Sequence, residues 1–136
     1  MVEQLEFTLP QYPRGYHLIT TEINKRLPKL PDKGLISIFI KHTSASLAIN
    51  ENADPTVRYD FETFFTKLVP DGTNWFQHSS EGDDDMPAHI KTSVIGQSLT
   101  IPITNGKLNL GTWQGVYLCE FRYEGGPRRI VITILG

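Results

Sequence analysis

Asn105-Gly106 is the pair of residues that most narrows what this chain can become. A two-residue turn of type I′ needs positive φ at both positions, and Asn-Gly tolerates that backbone better than most pairs. Ser98 to Thr104 alternates in front of it and Lys107 to Leu110 returns behind it, so the stretch predicts an antiparallel hairpin. Other stretches agree with sheet. From Val2 to Leu9, Leu5, Phe7 and Leu9 alternate with Gln4, Glu6 and Thr8, the period of a strand with one wet face. Leu35 to Ile40 is apolar except at Ser37, which predicts a strand buried on both faces. Val116 to Tyr123 and Arg128 to Leu135 read as strands separated by Gly125-Gly126-Pro127. His17 to Ile19 reads as a short strand, and Leu47 to Ile49 is a further short apolar piece.

Three helices fall between the strands. Thr21 is placed to cap one from Glu22 to Leu27, closed by Pro28 and Pro31. Asp54-Pro55 is a start signal, Asp as cap and Pro in the first turn. Val57, Phe61, Phe64, Phe65 and Leu68 follow as one apolar face, and Pro70-Asp71-Gly72 ends it. Pro87 starts the third, with Ile90, Val94 and Ile95 as its buried stripe and Gly96 as its stop. The pattern predicts an α+β fold, mainly antiparallel β-sheet or sandwich with two to three helices, in one compact domain over residues 1–136.

Composition excludes several classes. Thirteen Lys and Arg against fifteen Asp and Glu give a net charge of −2, so no basic face is expected for nucleic acid. No apolar run approaches the ~20 residues of a membrane span, and residues 1–20 carry Glu3 and Glu6 without the apolar core of a signal peptide. The single cysteine, Cys119, has no intrachain disulfide partner, which fits a reducing, cytoplasmic setting.

The densest chemistry lies between Trp75 and Gly96. This window holds His78, His89, Glu81, Asp83, Asp84 and Asp85, the residue types that bind divalent metals and move protons near neutral pH. Asp85 and His89 are four apart on the third helix and lie on one side of it, where a carboxylate can orient an imidazole as ligand or base. Capping and the helix dipole account equally for Asp83 and Asp84. His42 follows the apolar strand and either faces a cleft or is a hydrogen-bonded strand exit. Ser44 and Ser46 have the residue type of nucleophiles but lack a Gly-x-Ser-x-Gly elbow, and small hydroxyls in a turn more often bind backbone or phosphate. Gly111-Thr112-Trp113-Gln114-Gly115 is a glycine-bracketed turn that lets backbone approach a ligand or another subunit, or a tight turn with its tryptophan folded on the core. Glu120 and Arg122 share a strand face with Val116 and Leu118, either as a surface ion pair or partly buried against a partner chain. His17 has no motif around it and reads as structural or surface.

Taken together, His42-Thr43-Ser44-Ala45, Asn50-Glu51, His78, Asp84-Asp85-Met86-Pro87-Ala88-His89, Gly111-Thr112-Trp113-Gln114-Gly115 and Glu120-Phe121-Arg122 resemble the YjbQ family, described as secondary thiamine-phosphate synthase. The likeness runs roughly from Leu35 to Gly136. It implies a homotrimer with a site in the cleft between subunits, near the histidines and the tryptophan turn. It also implies a secondary activity in which a thiazole phosphate displaces pyrophosphate from an aminopyrimidine diphosphate.

On that footing His42, Asp85 and Glu120 are expected as catalytic groups. Thr43, Ser44, Asn50, Thr112, Trp113, Gln114 and Arg122 are expected on a phosphorylated small-molecule substrate. Trp113 would stack on the pyrimidine, and Arg122, Lys91 and the turn from Thr43 to Ser46 would face phosphate. A divalent metal is expected, either Mg²⁺ on Asp84, Asp85 and Glu51 or Zn²⁺ on His42, His78 and His89. Two other readings use the same residues: a metal-dependent hydrolase, and a non-catalytic trimeric module that binds a small ligand.

Overall fold

The computed structural model describes residues 1–136. The strands are β1 (Val2–Leu9), β2 (Gly15–Leu18), β3 (Lys33–Ile40), β4 (Ala45–Glu51), β5 (Ser98–Thr104), β6 (Lys107–Leu108), β7 (Gln114–Glu120) and β8 (Arg128–Leu135). The helices are α1 (Thr20–Asn24), α2 (Pro55–Leu68) and α3 (Asp85–Ile95). Five strands form one sheet in the order β1-β8-β3-β5-β6, and three form a second, β2-β7-β4, with every pairing antiparallel. The fold is α+β, as the pattern predicted.

The main core lies between the two sheets. Ile36, Ile38 and Ile40 of β3 meet Leu47 of β4 and Val116 and Leu118 of β7, and each such side chain contributes about 1.5–3 kcal/mol by leaving water. A smaller core lies between the second sheet and the helices, where Tyr16, Tyr117, Cys119 and Phe121 pack around Ala88 of α3. The hairpin forms at Asn105 and Gly106, with φ of 53° and 73°. Asp54 caps α2, its carboxylate accepting from Thr56 N at 2.9 Å.

Four expectations need correction. β3 is buried on one face only: Leu35 and Phe39 are 45% and 44% exposed, because nothing in the chain covers the outer face of the five-stranded sheet. α1 is short, and Thr21 does not cap it. The neighbouring Thr20 hydroxyl accepts from Val116 N at 2.9 Å instead, tying the helix to β7. On α2 only Phe61 and Phe65 reach the core, against Tyr16, while Phe64 and Leu68 are exposed. α3 begins at Asp85, and of the expected apolar stripe Ile95 packs against the smaller core and Ile90 is half-buried. Asp85, Ala88, Lys91 and Thr92 are buried, and Val94 is exposed. A helix that buries charged residues and exposes valine needs partners for those charges, and the site supplies them.

Candidate functional site

Asp85 is 1% exposed and stands at the first turn of α3 with both carboxylate oxygens in contact with polar groups. Its Oδ1 accepts from Arg122 Nη1 at 2.5 Å. Its Oδ2 lies 2.8 Å from His78 Nε2 and 3.2 Å from His89 Nε2. Arg122 is in turn fixed by Asp84 Oδ2 at 3.2 Å and by the Glu81 carbonyl at 2.9 Å. Asp84 also accepts from Tyr123 N at 3.0 Å, so it is a bracket between α3 and the segment after β7 rather than a helix cap. Burial pushes the Asp85 carboxyl up, but the His78 hydrogen bond and the charges of His89 and Arg122 outweigh it and hold the group below the usual carboxylate range. Asp84 behaves alike: burial raises it, and the Tyr123 amide and Arg122 more than reverse that.

The protonation of His89 follows from its partners. Its Nδ1 lies 2.8 Å from the Thr43 carbonyl. A carbonyl only accepts, so Nδ1 carries the hydrogen. Nε2 of a neutral ring is then a bare lone pair aimed at a carboxylate oxygen. That arrangement needs a cation at the meeting point, either a proton on His89 or a metal ion. A histidine ligand whose other nitrogen is bonded to a backbone carbonyl is the usual supporting arrangement around metals. The donor atoms of His78, Asp85 and His89 all lie within 4.8 Å of one another, and the two rings are 5.4 Å apart at 48°. Two imidazole nitrogens and one carboxylate oxygen fit zinc or a similar transition ion.

The oxygen-rich alternative does not form within the chain. Glu51 accepts from the amides of Ala53 and Asp54 at the start of α2, at the far end of β4 from this cluster. Asp84 is already taken by Arg122 and Tyr123.

His42 stands outside the cluster. Its Nε2 accepts from Arg129 N at 2.8 Å, which leaves the proton on Nδ1. Burial, then the charge of Arg128, lowers its pKa, with Glu120 opposing. The ring is a neutral hydrogen-bond donor, not a third metal ligand beside His78 and His89, and its basic nitrogen is occupied. It does share a cleft with His89: the two line an open cavity of about 600 Å³ together with Phe39, Thr43, Ser93 and Gln97.

Glu120 is not positioned for catalysis. It is fully buried between the sheets, gripped by Arg128 through Nε at 2.7 Å and Nη2 at 2.5 Å, and it accepts from Arg122 N at 3.1 Å. The expected side-chain pair of Glu120 with Arg122 does not form within the chain: Glu120 pairs with Arg128, and Arg122 with Asp84 and Asp85. Arg128 Nη2 also donates to the Ser44 carbonyl at 3.2 Å, so the Glu120–Arg128 pair holds the turn whose preceding carbonyl, that of Thr43, orients His89. Ser44 and Ser46 are buried and are not exposed nucleophiles. Arg122 is partly exposed but spent on Asp84, Asp85 and Glu81, and Lys91 is buried with its amine 5.8 Å from the Phe121 ring, so the first is already paired and the second is shut from solvent. The cations beside the cleft are Lys41 and Arg129, each loosely paired with Glu6 at 3.5 and 3.7 Å. Lys41 was legible as the neighbour of His42. Arg129 had no sequence signal, since only strand pairing brings it there.

The tryptophan turn lies elsewhere in the chain. Asn52 pins it, donating to the carbonyls of Thr112 and Gln114, both at 3.1 Å. Gln114 closes it by accepting from Gly111 N at 2.8 Å, and Trp113 is 66% exposed. β4 runs from Ala45 beside Glu120 to Glu51 beside Gln114, about 20 Å at roughly 3.4 Å per residue. Thr112, Trp113, Gln114 and Asn50 are therefore at one end of the second sheet, and the histidine cluster is at the other. Asn50 borders a separate apolar pocket of about 190 Å³ with Tyr16, Phe61, Phe65 and Tyr117.

Fold and cluster together define a small two-sheet α+β protein with a His-Asp-His group at the mouth of an open cleft. A family model described as UPF0047 protein YjbQ-like matches residues 4–136. The chain belongs to this family. It is 53% identical over 135 residues to UPF0047 protein YjbQ of Salmonella typhimurium, covering 98% of this chain and 97% of that one. It is 50% identical over 135 residues to UPF0047 protein YjbQ of Escherichia coli O157:H7, with the same coverage. Among solved structures it is similar to a YjbQ/UPF0047 protein of Clostridium acetobutylicum, with a TM-score of 0.82 at 35% identity over 96% of this chain and 99% of that one. A hypothetical protein of Aeropyrum pernix K1 gives a TM-score of 0.85 at 28% identity over 98% of each chain.

Proposed function

We propose that the protein is a transferase of the thiamine-phosphate synthase type, acting on phosphorylated small molecules at a divalent ion held by His78, Asp85 and His89. One observation carries the reading: two imidazole nitrogens converge at 2.8 and 3.2 Å on a single buried carboxylate oxygen beside an open cleft. His78, Asp85 and His89 would hold the ion, which would supply Lewis acidity toward the charge of a departing pyrophosphate. Thr43 fixes the His89 ring, and Arg122 fixes Asp85. His42 offers its Nδ1–H to a phosphate oxygen, and Lys41 and Arg129 swing from Glu6 to neutralise it. Phe39 supplies an apolar wall for a flat ring. The transfer reaction itself rests on the family resemblance. The lone buried cysteine, Cys119, fits a cytoplasmic enzyme.

The active form in this reading is a homotrimer. Leu35, Phe39, Val2 and Leu135 are exposed together on the outer face of the five-stranded sheet, and an apolar patch of that kind favours association. Association would bring the exposed Trp113 turn of one copy to the histidine cleft of another.

The test is product formation from the aminopyrimidine diphosphate and the thiazole phosphate. His78→Ala and His89→Ala are expected to lower turnover at least a hundredfold, and unchanged turnover would overturn the assignment. Mixing His89→Ala with Trp113→Ala subunits should restore part of the activity if copies share sites, and should restore none if they do not.

Metal-dependent hydrolysis is the second reading, favoured by the two-nitrogen, one-oxygen donor set itself. Release of phosphate from a phosphorylated precursor without its co-substrate, abolished by a chelator, would select it over transfer.

A further inference from the structure

A second cavity of similar size lies far from the histidines. It holds about 570 Å³ between the segment after α1 and the β5–β6 hairpin, with a floor of Leu27, Leu30, Leu108 and Leu110 and with Lys29 and Lys107 among its lining residues. Gly106 N donates to the Asp32 carbonyl at 3.3 Å, which places this hairpin at the Lys33 end of β3. His42 follows the other end, about 25 Å away at roughly 3.3 Å per residue. The volume is that of an ordinary small-ligand site, and the mix of an apolar floor with a few polar groups is the usual lining of one.

The charges select the ligand. Lys25 and Arg26 on the same segment are both engaged by Glu22, at 3.4 and 3.1 Å. Lys29 and Lys107 have no carboxylate within salt-bridge distance, and both are exposed. Two unpaired ammonium groups bordering four leucines fit a molecule with an anionic head and an aliphatic body. We propose that this cavity is a second binding site, for a small amphipathic carboxylate. The head lies between Lys29 and Lys107, and the chain lies on Leu27, Leu30, Leu108 and Leu110. The four leucines come from two segments of the chain, so a bound aliphatic chain would hold the hairpin against the α1 segment. The site is separate from the histidine cluster and stands whether or not the proposed reaction is correct.

The probe is sodium octanoate, titrated into the isotope-labelled full chain and followed by amide chemical shifts. Saturable shifts are expected at Leu27, Leu30, Leu108 and Leu110, with those of His78 and His89 unmoved. From butanoate to octanoate each added methylene should tighten binding about fourfold, the equivalent of ~0.8 kcal/mol. Octylammonium should not bind, and Lys29→Gln with Lys107→Gln should weaken octanoate at least tenfold. Both lysines are exposed, so the double variant is expected to fold, and an unchanged amide spectrum checks this. Equal binding of octylammonium, a flat chain-length series or full affinity in the double variant would each overturn the proposal. So would self-association that covers these amides and excludes octanoate, which would make a second copy the occupant. An acidic peptide binding more tightly than octanoate would likewise overturn it, assigning the cavity to a protein partner.

Discussion

His78 and Asp85 are seven residues apart in sequence and 2.8 Å apart in space, Nε2 to Oδ2. The contact depends on the chain reversing between them. Gly82 makes that reversal at a φ of +108°, a backbone that side chains with a Cβ rarely adopt. Its carbonyl then accepts from Asp85 N at 3.3 Å as α3 begins. Gly82→Ala is expected to destabilise the protein by about 1 kcal/mol or more and to lower metal affinity by moving His78 off the cluster. Urea unfolding and a metal titration on the same sample check both effects.

Glu120 and Arg128 are expected to matter for stability rather than for the site's chemistry. Removing one partner of a buried pair leaves the other charge uncompensated, at a cost of about 3–5 kcal/mol. Glu120→Gln should therefore shift the urea midpoint strongly. The folded fraction should still take up one metal ion per chain, because Glu120 contacts none of His78, Asp85 and His89, and loss of the ion itself would return Glu120 to the site.

Gly125 is needed for the same pair to form. A Cβ there would lie 2.5 Å from Arg128 Nη2 and 2.6 Å from Glu120 Oε1. Gly125→Ala should destabilise by about 1–3 kcal/mol through overpacking, measured by thermal or urea unfolding. The effect should be smaller in a Glu120→Ala background, which removes one of the two clashing groups and releases Arg128 from its partner.

Acid should weaken the fold in two steps of the same sign. Asp84 and Asp85 have depressed values, so their contribution is fully present above the unfolded carboxylate value of about 4 and is lost as pH falls through the folded values. His42 is kept neutral, so its contribution is fully present above about 6.5 and is lost as pH falls through its lower folded value. Unfolding free energy measured from pH 8 to pH 3 should decline across both windows. His42→Gln should remove the upper decline, and a curve unaltered by that change would refute the assignment.

Much of the scaffold was legible because local chemistry and the final fold agree. Asn105-Gly106 turns where its φ preference says, and the alternation of Val2 to Leu9 survives as β1 at the same bounds. The errors concentrate where buried charge, or a sheet face the chain leaves uncovered, overrides apolar patterning. Leu35 and Phe39 look like core residues because they are apolar, yet nothing within one chain covers them. Of Ile90, Val94 and Ile95, expected on the inner face of α3, Ile95 reaches the second core and Val94 is exposed. Ala88, the smallest side chain on the helix, sits against the second sheet and brings Asp85 and Lys91 inside with it.

The candidate site was half legible for a related reason. The four-residue spacing of Asp85 and His89 survives folding because a single helix carries both. The placement of His42, Glu120 and Trp113 depends on strand pairing. No residue spacing discloses that Glu120 meets Arg128, or that Trp113 and His89 lie at opposite ends of one sheet.

Zinc titrated into the metal-free protein at pH 7.5 against a chromophoric chelator tests the central claim most directly. One ion per chain is expected for the wild type and for His42→Ala, with affinity at least tenfold weaker in Asp85→Asn, His78→Ala and His89→Ala. A wild-type protein that takes up no zinc, or cluster variants that bind it as tightly as the wild type, would contradict the account.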